Sequence, residues 1–224
     1  MTVGAVTGLA AEAALARELG LAAAVGAGTR ARTEAAVADL LARPVLGLVS
    51  FGIAGGLAPG LPTGTVVLPA AVRGSDGSAH WVDIDWHERL AKAARAAKLA
   101  VVVGGMLGAD EIAATAAAKA DLHRTTRAIA VDLESHVVAA AAARARVPFV
   151  VLRTIADTAG QDLPPAALLP LTRRGRPSLP RVLISLALRP RQIPALKTLD
   201  REFRTALDAL RKAGRALGEA LLRI

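Results

Sequence analysis

The chain contains no cysteine and no tyrosine, and its aromatic complement is three Phe and two Trp in 224 residues. The first absence excludes disulfides, thiol nucleophiles and thiolate metal sites together. The second forces core volume onto Leu, Val and Ile, and leaves only Phe51, Phe149, Phe203, Trp81 and Trp86 to stack on a flat ligand. No uncharged apolar run reaches the roughly 18 residues that a spanning helix requires. The first apolar stretch lacks a basic flank and is interrupted by Glu12, which argues against a signal peptide. A cytoplasmic location is expected, with peripheral attachment to the inner face of a membrane left open. His80, His87, His123 and His136 show no metal-ligand spacing, so neither a metal nor an organic cofactor is expected.

What is present is a globular composition, 53% apolar and rich in Ala, in a chain long enough for a substantial core. Charge is unevenly spread. Residues 163–224 hold 13 Lys and Arg against 4 Asp and Glu, which accounts for the whole net charge of +9, and residues 1–162 are balanced. The composition breaks at Leu163-Pro164-Pro165. Two units are expected from this break: a catalytic core over 1–162, and a basic amphipathic segment over 163–224 that packs on it.

The front of the chain alternates apolar strand-like runs with helix-favouring stretches, the pattern of a mixed α/β sheet. Strands are expected at 1–6, 45–51, 66–71 and 101–106, and helices at 10–19, 86–97 and 112–119. Val131-Asp132-Leu133-Glu134-Ser135 and Phe149 to Asp157 flank an Ala-rich helix, so 131–157 is expected to form a β-α-β unit with parallel strands. Such strands open at the same side of a sheet, where open α/β sheets bind ligands, which brings Glu134, Arg153 and Asp157 together. Near the C-terminus, Leu199, Phe203, Leu207, Leu210, Leu217 and Leu221 recur at helical spacing and mark a final amphipathic helix.

The order V-D-L-E-S followed by R-T-I-A-D resembles the purine nucleoside phosphorylase and methylthioadenosine/adenosylhomocysteine nucleosidase superfamily. Its members carry an acidic-M-E and an R-x-I-S-D signature in that order. Gly4 to Leu9 with Glu12, Gly52-Ile53-Ala54-Gly55-Gly56-Leu57 and Gly64 to Leu68 fit the same resemblance in chain order. S-F-G-I-A-G-G-L and V-D-L-E-S-H are most similar to the hopanoid-biosynthesis-associated phosphorylases. The resemblance implies a three-layer α/β/α nucleoside-phosphorylase-like fold, a homo-oligomer, and phosphorolysis of adenosylhopane, a lipid-linked nucleoside, with inorganic phosphate as co-substrate.

Cleaving an N-glycosidic bond needs a proton for the departing base, stabilisation of a cationic ribosyl transition state, and a nucleophile. The resemblance makes Asp157 the acid, a role that partial burial at a strand end would assist by raising its pKa. Read alone, the same Asp would cap a turn. Glu134 matches the carboxylate that binds the ribose hydroxyls, and as a residue entering a helix it also suits the helix dipole. Asp132 is expected to orient its neighbours, and Gly55, Leu133 and Ile112 to line the substrate site. The family's stacking Phe has no counterpart in Gly108-Ala109-Asp110-Glu111-Ile112, so base recognition falls to aliphatic contacts and Asp157.

The nucleophile leaves two alternatives. Phosphate needs cations or N–H donors, for which Arg153, Gly8, Arg30 and Arg32 are candidates. Water needs an orienting carboxylate, for which the resemblance offers Glu12 and a hydrolytic nucleosidase. A non-catalytic membrane-associated scaffold is a further alternative. The basic tail reads as ordinary solvated charge around a capping helix, the usual case, as an anionic-membrane contact, or as a nucleic-acid contact, the last disfavoured because no recognition module accompanies the charge.

Overall fold

The computed structural model describes residues 2–224. Its centre is a mixed sheet of ten strands. The longest is β3 (Val45–Gly56), whose first half runs parallel to β1 (Thr2–Thr7) and which runs parallel to β10 (Phe149–Asp157) from Leu48 to Gly55. β2 (Ala22–Val25) adds to the outer edge of β1. The carboxyl end of β3 turns to a new neighbour, β9 (Ala130–Asp132), which it pairs antiparallel.

Two bent stretches close the sheet on itself. β4 (Val66–Val67) pairs antiparallel with β10, and after a bend the chain continues as β5 (Ala71–Gly74), joined at its far edge by β6 (Ala79–Trp81). β7 (Val101–Val102) lies beside β4, and after a similar bend β8 (Gly105–Gly108) lies between β5 and β9. The ladder therefore runs from β10 through the two bent stretches to β9 and back through β3.

Helices cover the sheet, as a three-layer α/β/α fold requires. α1 (Ala10–Glu18) packs on β1 and β2, and α2 (Arg30–Leu41) packs against α5 (Ser135–Ala145). α3 (Ile84–Ala96) packs against α7 (Ile193–Leu222), which lies on β10. α4 (Ala116–Thr126) leads into β9, and α6 (Leu179–Leu188) sits ahead of α7. α7 is no loose appendage: Leu210, Ala213, Leu217 and Leu221 belong to the same buried cluster as Val49, Phe51, Trp86 and Val151. The Trp86 indole N–H donates to the Ala220 carbonyl at 3.0 Å, and Thr154 Oγ1 donates to the Ala206 carbonyl at 2.9 Å.

Three sequence expectations need correction. β9 and β10 are not parallel neighbours: β3 lies between them, parallel to one and antiparallel to the other. Their acidic ends still meet, because Val131 and Asp157 both register on Gly55 of β3. The helix expected from Ile112 begins only at Ala116, where Thr115 Oγ1 accepts from the Ala118 N–H at 3.1 Å and so caps the first turn. The strands expected over 66–71 and 101–106 are each interrupted by the bends that close the sheet.

Candidate active site

A cavity of about 630 Å³ opens where the ends of β3, β9 and β10 converge. Glu12, Asp132, Glu134, Arg153 and Asp157 line it, with Gly8, Gly55, Leu133, Ile112 and Arg32. The apolar part of the wall comes from Leu9, Ile53 and Val131, and from the segment Leu163 to Leu171. No aromatic side chain lines it among the described residues. Phe51, Phe149 and Trp86 are spent in the core, and Trp81 stands in solvent.

Arg153 is the hub. It is 1% exposed, in the middle of a strand that is buried throughout. Its Nη2 lies 2.6 Å from Asp132 Oδ2, 3.3 Å from Glu134 Oε2 and 2.7 Å from Ser50 Oγ, while Nη1 donates to the Ile53 carbonyl at 3.1 Å. Burial pulls the Arg153 pKa down, yet Asp132, Glu134 and Glu12 together push it above the ordinary guanidinium value. Asp132 Oδ1 accepts from the Ser135 N–H at 3.1 Å, and Oδ2, which faces Arg153, also accepts from the Ser135 hydroxyl at 2.5 Å.

Glu12 accepts three backbone N–H bonds, from Gly8 at 2.9 Å, Leu9 at 2.8 Å and Ile53 at 2.8 Å. Two glycines make room for this cluster. A Cβ at Gly52 would fall 2.6 Å from the Glu12 carboxyl and from Arg153 Nη1, and one at Gly8 would fall 2.7 Å from Glu134 Oε1. Burial raises the pKa of Glu12 despite Arg153 and those three N–H groups. It also raises that of Glu134, against the pull of Arg153 and with the added repulsion of Asp132 and Glu12. Burial therefore outweighs the attraction of the one guanidinium, and Glu134 is pushed up to about 8.

Asp157 ends β10 opposite this group. Burial raises its pKa, and Lys119 opposes that shift. The Lys119 side chain is fully buried, and its Nζ lies 2.5 Å from Asp157 Oδ2, 2.9 Å from the Thr158 carbonyl and 2.8 Å from the Gln161 carbonyl. All three ammonium protons are thus spent behind the carboxyl. One Asp157 oxygen is held from the protein side, and the residue itself lines the cavity.

Of the residues expected from sequence, Arg30 alone stands apart. Its Nε and Nη2 grip Asp110 at 3.0 and 3.3 Å, with both side chains almost half exposed, and it does not line the cavity. That pair, together with Ser75, holds the Asp110 pKa down at about 2. The Gly8 N–H is taken by Glu12, and Arg153 Nη2 by carboxylates and Ser50, while the buried Arg153 Nε has no hydrogen-bond partner among the described residues. Arg32 differs: it lines the cavity, donates to the Leu171 carbonyl at 3.2 Å, and has no carboxylate partner among the described residues. His136 is 3% exposed, and its Nε2 lies 3.4 Å from Asp110 Oδ1.

Sequence reasoning missed Lys119, Ser50 and Ser135. Lys119 sits in Ala-Ala-Ala-Lys-Ala-Asp, where nothing separates a buried lysine from an exposed one. Ser135 follows Glu134 as an ordinary first helical residue, and only the fold brings Ser50 within 2.8 Å of it. No cluster of His, Cys, Asp and Glu suited to a metal ion occurs among the described residues.

The chain's fold is shared with structures of low sequence identity. The 5′-methylthioadenosine/S-adenosylhomocysteine nucleosidase of Neisseria meningitidis, solved with methylthio-immucillin-A, superposes with a TM-score of 0.72 at 19% identity, covering 96% of this chain and 97% of that one. The nucleosidase of Colwellia psychrerythraea, solved with adenine, gives 0.74 at 18% identity over 98% and 95%. Futalosine hydrolase of Helicobacter pylori gives 0.70 at 15% identity over 95% and 97%. No curated protein matches by sequence. The model of the phosphorylase superfamily matches residues 20–169, well over half of the 224, and the chain belongs to that superfamily.

Proposed function

We propose that this chain cleaves the N-glycosidic bond of a 5′-modified adenosine, with Asp157 as the acid, Glu134 on the ribose hydroxyls and water as the nucleophile. The observation that carries the choice of water is Glu12, a buried carboxylate on the cavity wall whose raised pKa makes it a stronger base than a solvated glutamate. In the proposed reaction the C1′–N9 bond breaks as Asp157 gives its proton to N7 of the departing adenine. Water adds to C1′, and its proton passes to Glu12. Positive charge that develops on the ribosyl ring faces Asp132 and, in its ionised form, Glu134, so the attraction grows towards the transition state.

The names of the structural neighbours support this reading, since two are nucleosidases and a third is a hydrolase. Phosphorolysis is the second reading, favoured by Arg32, which has no carboxylate partner, beside the N-terminus of α2. The substrate proposed carries a hydrocarbon at C5′, supported by Leu163, Leu168, Leu169 and Leu171 along the cavity wall. Adenosylhopane is the member of that class that the resemblance implies.

The test is adenine release from methylthioadenosine, and from adenosylhopane in detergent, followed chromatographically with and without added phosphate. Phosphate-independent release that Glu12→Gln abolishes is the expected result. Release that requires phosphate and fails in Arg32→Ala would establish phosphorolysis instead. No release from either substrate would end the enzymatic reading.

A further inference from the structure

The apolar wall of the cavity continues onto the surface. Leu168, which lines the cavity and is 38% exposed, ends a short 3₁₀ turn, Pro165–Leu168, that packs against α6. No residue of α6 is buried, and Leu179, Leu183, Ile184 and Leu188 are 72, 65, 61 and 76% exposed. At 100° per residue these four fall on one arc of the helix with Pro180 and Ala187. Val182, Ser185 and Leu186 are the half-buried positions on the opposite side.

This orientation is fastened. The buried Gln192 donates from Nε2 to the Ser185 carbonyl at 2.8 Å and to its hydroxyl at 3.0 Å, and its Oε1 accepts from the Ala166 N–H at 2.9 Å. A single amide thus ties the 3₁₀ turn, α6 and the start of α7 together, with the leucines of α6 turned outward. The charge around that face has one sign. Residues 163–199 contain seven Arg and Lys and no Asp or Glu, and Arg181, Arg189 and Arg191 lie in or next to α6. An aliphatic face bordered by arginine without any carboxylate complements a layer of acyl chains beneath anionic headgroups. A second copy of this chain would bring another basic segment against the first.

We propose that α6 docks on an anionic phospholipid surface, its leucines entering the interface and its arginines meeting the phosphates, so that the cavity mouth at Leu168 faces the lipid. The purpose of that docking, access to a lipid-linked nucleoside, rests on the proposed substrate; the docking itself does not.

Flotation of the full chain with vesicles tests it, using phosphatidylcholine alone and phosphatidylcholine mixed with phosphatidylglycerol. The expected result is binding to the mixed vesicles only, weakened about tenfold or more by Leu183→Ser/Ile184→Ser and also by raised salt. Because those side chains are exposed, the double variant is expected to keep the wild-type melting temperature and cleavage of methylthioadenosine. Absence of binding to the mixed vesicles, or equal binding by the double variant, would overturn the proposal. So would sedimentation showing a dimer that the double variant dissociates, since a second copy would then cover the face. If neither methylthioadenosine nor adenosylhopane is cleaved while flotation behaves as expected, the enzymatic reading fails and the docking stands.

Discussion

Asp157 stands between two opposed influences, burial that raises its pKa and the Lys119 ammonium that lowers it. In the proposed reaction an acid for adenine N7 must hold its proton near neutrality yet keep one oxygen directed at the base, and Lys119 would meet the second need by fixing Oδ2. Asp157→Asn is expected to fold normally and to lose turnover by about a hundred- to ten-thousand-fold, the range of general acid catalysis. Lys119→Met removes the lowering influence, so the Asp157 pKa rises further. In a pH profile of kcat/KM the alkaline limb, where the acid loses its proton, is expected to move to higher pH, and kcat is expected to fall more than KM changes. The variant also leaves the Thr158 and Gln161 carbonyls without their donor, which costs about 1–3 kcal/mol of stability. A loss of stability with an unmoved alkaline limb would show that Lys119 only supports the fold.

At the scale of elements, α7 shows why a break in composition need not be a break in structure. It carries six of the thirteen basic residues of 163–224 and all four acidic ones, while its inner face closes the core over β10. Leu210→Ala is expected to cost about 2–5 kcal/mol, as fully buried leucines do. A chain ending at residue 162 is expected to show no cooperative thermal transition by calorimetry, because β10 and Trp86 lose their cover. α7 was legible in the sequence because leucine contrasts sharply with arginine at helical spacing, and β10 because its apolar run is unbroken. β2 and α2 were not: Ala22-Ala23-Ala24-Val25 offers no contrast between faces, and an Ala-rich helix carries little periodic signal. The carboxyl half of β3, Gly52 to Gly56, looks like a loop because glycine is depleted in strands, yet here the glycines admit Glu12, Arg153 and Asp157 to its surface. The acidic signature residues were legible by type and order. Their contacts were not, because antiparallel pairing of β9 with the turned end of β3 is a property of the closed sheet and not of any local pattern.

At the scale of the whole molecule, the buried acids set how stability follows pH. Glu134 is pushed up to about 8, and Glu12 and Asp157 are also raised, burial being the largest cause in each case. A group whose pKa is raised on folding keeps in the native state a proton that the unfolded chain releases. Its contribution to stability is full below the unfolded value of about 4–4.5 and is lost as pH rises through the folded value. All three acids act in this sense, so the protein without substrate is expected to be most stable near pH 5 and to weaken steadily to about pH 8 or 9. Each kcal/mol lost lowers the melting temperature by about 2–4 °C in a chain of this size. Glu134→Gln has no proton to lose, so its melting temperature is expected to match wild type near pH 5 and to exceed it near pH 9, measured by scanning calorimetry in buffers of constant ionic strength. A melting temperature that instead rises with pH in the wild type would mean that Arg153 holds all three neighbouring carboxylates ionised. The alkaline weakening would then be absent from both proteins.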